Sequence, residues 1–282
     1  MKLDFLLVEP TGRCGLRCPL CPTGAGRTPR TDTFLDPALL HRFLADVAPA
    51  RPRVGMWGWG EPTLHPDLAG LVRVAHAHGC GVEIQSNGHG RIEDYDALIE
   101  AGLEQLTIAL DGLDDTQMRP LRGRTADAGV VRAVLASLAP RRGCTDVVVQ
   151  CIVTRPNEAH LPAIAAWVGG LGLRLELKTL NTAGAGPGLI ERLRPTREAL
   201  RRPGTGPGSG CPFLAAGATL LADGAVVPCC YDWEGRWPLG HAGAGWQSLA
   251  AARASVDPGS APLCNGCAMS GLALSPEATC AS

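Results

Sequence analysis

Aromatic side chains are scarce in this chain of 282 residues, at 4%, with two Tyr and four Phe. Hydrophobic residues still make up 45%, enough to bury a sizeable core. An excess of either charge is also missing. The net charge is −1, which argues against nucleic acid or an anionic membrane as a bulk electrostatic partner. No apolar run is long enough to span a bilayer. The start, Met1-Lys2-Leu3-Asp4-Phe5, puts an acid where a signal peptide needs its apolar segment. A cytoplasmic protein is therefore expected. In that compartment the twelve Cys are reduced thiols or metal ligands rather than disulfides. Gly (36), Pro (23) and abundant Arg and Ala suit a high-GC coding bias, so isolated glycines carry little weight.

Three of the Cys fall in one short stretch, Cys14-Gly15-Leu16-Arg17-Cys18-Pro19-Leu20-Cys21-Pro22, just after the apolar run Phe5 to Val8. Pro19 and Pro22 keep this loop out of helix, so its side chains can converge. Thiolates are soft ligands and select zinc, copper(I) or iron–sulfur clusters. Structural zinc takes four protein ligands, and no His or Asp follows closely to complete the set. A cubane cluster on three Cys would leave one iron open. On spacing alone a zinc loop or a redox dithiol remains possible.

The rest of the chain alternates between two periodicities. Strands are expected at Leu3 to Glu9, Arg53 to Trp57, Cys80 to Gln85, Gln105 to Leu110, Asp146 to Val153 and Leu173 to Leu180. Helices are expected from Pro37 to about Val47, with Asp36 as N-cap, and over Pro66 to His78, Asp94 to Ala101, Ala126 to Leu138 and Glu158 to Val168. Such alternation specifies an α/β fold with a parallel sheet. A full eight-unit barrel needs about 250 residues, and the alternation stops near Leu180. A partial (β/α)6 TIM-like barrel over residues 1–181 fits better. Residues 182–210 read as a Gly-, Pro- and Arg-rich linker with one helix (Ile190 to Leu200), and 211–282 as a small Cys-rich domain.

In parallel α/β folds chemistry gathers at the C-terminal ends of the strands, and the chain's motifs fall there. Gly58-Trp59-Gly60-Glu61-Pro62 follows the second strand, Ser86-Asn87-Gly88 the third, and Asp111-Gly112 the fourth, with Arg122-Gly123 further on. Together with the Cys-x3-Cys-x2-Cys loop they resemble the radical S-adenosylmethionine (SAM) superfamily, with Trp59 where that family's Gly-Gly-Glu-Pro motif has its first Gly. The resemblance implies a [4Fe–4S] cluster on Cys14, Cys18 and Cys21, whose open iron chelates SAM and whose reduced form cleaves SAM to a 5′-deoxyadenosyl radical. It implies SAM contacts from Gly60, Glu61, Ser86, Asn87, Asp111 and Arg122. It also implies an external one-electron reductant such as flavodoxin or ferredoxin. Gln150 and Lys178 are polar residues in apolar strands and face either substrate or solvent. Cys80, Cys144 and Cys151 read as small buried thiols.

A second group of Cys begins at Cys211. A hairpin, Ala218 to Leu221 then Ala225 to Val227 around Ala222-Asp223-Gly224, leads into Pro228-Cys229-Cys230; Cys264-Asn265-Gly266-Cys267 follows a helix over Trp246 to Ala254. Taken alone, Cys211, Cys229, Cys264 and Cys267 suit a zinc ribbon. The Gly-x4-Cys spacing resembles the SPASM extension of radical SAM enzymes, and the missing later Cys bring it closer to the truncated twitch version. That resemblance implies a second [4Fe–4S] cluster on Cys211, Cys229, Cys264 and Cys267. Compact members of this kind tailor aminoglycosides and aminocyclitols, and the chain shows no added N-terminal domain of the type that captures peptide leaders. The expected reaction is hydrogen abstraction from a carbinol carbon of an amino sugar or aminocyclitol, leading to epimerisation. Cys230, surplus to the ligand count, is then the expected hydrogen donor. Asp111, Asp232 and Glu234 are carboxylates available to a polycationic substrate, or equally solvated surface charges. Dehydrogenation of the same carbinol, a peptide-modifying maturase and a non-enzymatic iron–sulfur or zinc module are the alternatives.

Overall fold

The computed structural model describes residues 3–47, 50–180, 186–201 and 216–256. The six expected strands form: β1 (Phe5–Val8), β2 (Arg53–Met56), β3 (Val82–Ser86), β4 (Gln105–Ala109), β5 (Asp146–Ile152) and β6 (Arg174–Lys178). They pair in parallel and in sequence order, β6-β5-β4-β3-β2-β1. This is the α/β partial barrel expected from the alternation. Helices α1 (Pro37–Val47), α2 (Leu68–Ala77), α3 (Ile92–Glu100), α4 (Asp115–Arg122), α5 (Ala128–Leu138) and α6 (Leu161–Gly170) make the crossovers.

Local chemistry explains the boundaries. The Asp36 carboxylate accepts from the Ala38 amide (2.8 Å) and opens α1, which buries Leu40, Phe43, Leu44 and Val47, the i, i+3, i+4, i+7 stripe of a core-facing helix. Asp67 caps α2 through the Gly70 amide (3.0 Å), and the chain leaves that helix through Gly79 at φ 73°. The linker helix is shorter than expected. Helix α7 (Pro187–Leu193) stops because Arg194 precedes Pro195, which pushes it to an extended ψ of 129°. Helix α4 is additional to the expected helices and carries Pro120 inside it. Cys80 and Cys151 are buried as expected, whereas Cys144 is exposed.

The expected hairpin also forms, as β7 (Gly217–Leu220) and β8 (Ala225–Val227), turning through Gly224 at φ 87°. It adds to the main sheet. β7 pairs in parallel with β1 on the side away from β2, and β8 and β9 (Gly240–His241) follow antiparallel. Helix α8 (Trp246–Ala254) comes next, and Trp246 meets Phe43 of α1 edge to face at 6.3 Å. Of the second Cys group only Cys229 and Cys230 are among the described residues; Cys211, Cys264 and Cys267 lie outside them.

Candidate active site

The C-terminal ends of the parallel strands open onto a cavity of about 260 Å³. All three Cys of the first loop line it, together with Trp59, Gly60 and Glu61 after β2, Ser86 and Asn87 at the end of β3, Arg122 at the end of α4, and Gln85, Thr107 and Gln150 from the strands. The Cys loop is held by close backbone packing. Gly123 sits at φ 87°, and a Cβ there would come within 2.4 Å of the Arg17 carbonyl oxygen. A Cβ on Gly60 would meet the Thr11 carbonyl at 2.0 Å, so the loop after β2 lies flush on the chain leaving β1. The Cys14 sulfur accepts from the Leu16 amide (3.4 Å) and from Asn87 Nδ2 (3.8 Å). The Cys18 thiol donates to the Arg122 carbonyl (3.4 Å) and the Cys21 thiol to that of Trp59 (4.0 Å).

Glu61 is the centre of a second set of contacts. Its Oε1 accepts from the Thr63 amide (3.1 Å), the Thr63 hydroxyl (2.9 Å) and the Ser86 hydroxyl (2.8 Å), and its Oε2 from the Asn87 amide (2.7 Å). Burial pushes this carboxyl above the ordinary range, and the hydrogen bonds act in the opposite direction. Ser86 is fixed in turn by the Tyr95 hydroxyl (2.8 Å) and the Gly88 amide (3.1 Å).

The model of the Radical SAM superfamily matches residues 8–168. This chain belongs to that superfamily. Among curated relatives it is similar to the mycofactocin maturase MftC of Mycolicibacterium smegmatis, 30% identical over 247 residues, which is 79% of this chain and 60% of MftC. The Mycobacterium ulcerans MftC is 32% identical over 194 residues, 67% of this chain and half of the relative. The chain thus spans half to three-fifths of the length of these relatives. Among solved structures, BtrN in complex with AdoMet and 2-DOIA shares the fold over 94% of this chain and 93% of its own, at a TM-score of 0.60 and 16% identity.

A radical SAM fold implies a [4Fe–4S] cluster and SAM, and the residues present fit them. Three soft donors from one loop face one cavity, and none of them is in a disulfide. No group of three or more His, Cys, Asp or Glu among the described residues is arranged to hold a single metal ion. In a cubane each Cys binds a different iron, so three thiols spread around a cavity wall are the expected arrangement. Burial pushes the Cys14 thiol up to about 12 and that of Cys18 upward too, so ligation there displaces protons. When bound, this pair supplies reductive cleavage of SAM to a hydrogen-abstracting radical. The chain's own part is to orient: the Glu61 carboxylate, an acceptor suited to an ammonium, is held by four donors on the cavity wall.

Asp111 and Arg122 divide their roles. Arg122 lines the cavity, whereas Asp111 is fully buried behind it and pairs with its Nε. The Asp111 carboxylate also accepts from the Ile152 amide (2.7 Å), and its carbonyl accepts from Asn157 Nδ2 (2.8 Å). Burial disfavours the Arg122 charge, but Asp111 and the nearby Cys18 outweigh it and its pKa is raised. Asp111 therefore supports the arginine rather than facing the cavity. Of the two open strand positions, Gln150 lines the cavity, and Lys178 is exposed on the edge strand beside Glu176 (3.4 Å).

The three carboxylates offered to a polycationic amino sugar are all engaged: Asp111 with Arg122, Asp232 with the Arg236 and Trp237 amides (both 2.8 Å), and Glu234 with the Arg236 guanidinium. Glu61 is the one carboxylate among the described residues lining the cavity. Nor does the structure bring Cys230 to the cavity wall. Its thiol shares a hydrogen bond with that of Cys229, which pushes the Cys229 thiol upward, and its carbonyl accepts from the Trp59 indole N–H (2.6 Å).

Two sets of residues escaped the sequence reading. A buried ion pair joins Glu9, at the end of β1, to Arg30 (2.8 Å), and Arg30 also donates to the Trp233 carbonyl (2.7 Å). Trp59 stacks edge to face on Tyr231 (6.1 Å). Both tie the Cys loop and the Glu61 loop to the segment carrying Cys229 and Cys230. No spacing reveals contacts across some 170 to 200 residues. A buried acid at a strand end, such as Glu9, is the one signal available in the sequence.

Proposed function

We propose that this radical SAM enzyme modifies a peptide, abstracting hydrogen from one residue presented to the cavity. The observation that carries this reading is the chemistry of the cavity floor. Gln85, Thr107 and Gln150 are neutral amide and hydroxyl groups that suit peptide groups, and among the described residues lining the cavity no unengaged carboxylate awaits a polycation. Supporting it, the curated relative at 79% coverage of this chain is a maturase, and Streptococcus suis SuiB, similar in fold at a TM-score of 0.63 and 13% identity over 82% of this chain and 60% of its own, was solved bound to precursor peptide SuiA.

The reading includes a second [4Fe–4S] cluster on Cys211, Cys229, Cys264 and Cys267, so reconstituted protein should hold about eight iron per chain. The test supplies the reconstituted enzyme with SAM, dithionite and a short peptide encoded beside its gene, and follows peptide mass with 5′-deoxyadenosine. A modified peptide formed in step with 5′-deoxyadenosine is the expected result. An unmodified peptide, with conversion of an aminocyclitol in the parallel reaction, contradicts the proposal.

A further inference from the structure

The side-chain amide of Asn87, just past the end of β3, has two ends with different partners. Its Oδ1 accepts from the His89 backbone amide (2.9 Å), and the His89 ring nitrogen Nδ1 lies 3.2 Å from it and 3.0 Å from the Asn87 carbonyl. The oxygen end is thus taken up by the turn. The Nδ2 end reaches the Cys14 sulfur (3.8 Å).

The hydrogen on His89 can be placed from its other side. Nε2 lies 3.0 Å from the backbone amide of Asp127, the residue that caps α5. A backbone amide only donates, so Nε2 is the bare acceptor and the hydrogen sits on Nδ1. Nδ1–H then donates to Asn87. Donors therefore run in one direction: the Asp127 amide to His89, His89 to Asn87, and Asn87 to the Cys14 sulfur. The first link is fixed at the start of α5, where the Asp127 carboxylate also holds the Val130 amide (3.0 Å). His89 is half-buried and is not among the residues lining the cavity, so it acts through Asn87.

Cys14 also accepts from the Leu16 amide (3.4 Å), so two N–H groups converge on this one ligand sulfur. One-electron reduction of an iron–sulfur cluster adds a negative charge that its ligand sulfurs share. An N–H aimed at such a sulfur is stronger in the reduced form and raises the reduction potential. Hydrogen bonds in a chain polarise one another, so an imidazole behind the amide strengthens the last link.

We propose that His89 is a positioning residue for the first cluster: it locks the Asn87 amide with Nδ2 on the Cys14 sulfur and so holds the reduction potential up. The inference rests on superfamily membership and not on the peptide reading, because the potential is measured without substrate.

The test is a redox titration of the reconstituted enzyme followed by electron paramagnetic resonance, using the reduced-cluster signal that the Cys14→Ala/Cys18→Ala/Cys21→Ala variant lacks. His89→Phe keeps a ring and the backbone amide but removes both side-chain hydrogen bonds. Its reduction should be about tenfold less favourable, a midpoint about 59 mV lower for one electron, with iron content as in wild type. His89→Asn carries an amide N–H in the place of Nδ1–H and should titrate at the wild-type midpoint. Three results overturn the proposal: an unchanged midpoint in His89→Phe, a midpoint in His89→Asn as low as that of His89→Phe, or loss of iron from either variant. The last would mark a packing role for the ring instead of a hold on the Asn87 amide.

Discussion

The two ends of the parallel sheet finish their strands differently. At the ends of β1 to β4 each acidic side chain is bonded within the protein: Glu9 to Arg30, Glu61 to Thr63, Ser86 and Asn87, and Asp111 to Arg122 and the Ile152 amide. At β5 and β6 the pattern relaxes. Gln150 faces the cavity, and β6 is an edge strand whose Leu177 is 47% exposed. The closed end matches a cofactor, which is the same at every turnover and rewards rigid preorganisation. The open end matches a substrate that must enter and leave. On this view the SAM side is fully specified by side chains in place, and the substrate side is completed by what binds there.

Substitutions at the closed end should therefore cost more than their contact lists suggest. Asp111→Asn leaves Arg122, whose side chain is 16% exposed, without its countercharge. Breaking a buried ion pair from one side costs about 3–5 kcal/mol. A fall of that size in unfolding free energy should appear in a urea titration of the protein without cofactors; a change below 1 kcal/mol would make the closed end no tighter than the open one. Trp59→Phe is a gentler probe. It keeps a ring against Tyr231 but removes the indole N–H from the Cys230 carbonyl, a loss of about 1 kcal/mol. The same titration should resolve it as a small shift in midpoint. No shift would mean that the Glu61 loop and the Cys229–Cys230 segment are not coupled through this bond.

Much of this organisation was legible in the sequence because it is local. Strand–helix alternation, the Asp36 and Asp67 caps, and the motifs at strand ends all follow from neighbours within a few residues. Helix α4 had a local signal too: Asp114 followed three residues later by Gln117 is a capping-box pattern, and Asp114 does cap the Gln117 amide (3.0 Å). The roles of Asp111 and Arg122 were read as equal SAM contacts because a sequence shows residue types and not which of two partners faces the cavity. The joining of β7 to β1, and the Trp59–Cys230 and Arg30–Trp233 contacts, depend on packing between distant segments, for which one sequence holds no signal. The partners of Asp232 and Glu234 are hidden for the same reason: a carboxylate that caps its own turn, or pairs two residues on, looks in sequence like a free one.

The central claim is that the closed end is a complete radical SAM site on Cys14, Cys18 and Cys21. Its most direct measurement is 5′-deoxyadenosine formation from SAM by the reconstituted, dithionite-reduced protein, with wild type beside the Cys14→Ala/Cys18→Ala/Cys21→Ala variant. The account predicts formation by wild type, none by the triple variant, and an iron content in the variant lowered by about four per chain. Continued 5′-deoxyadenosine formation by the triple variant would contradict it.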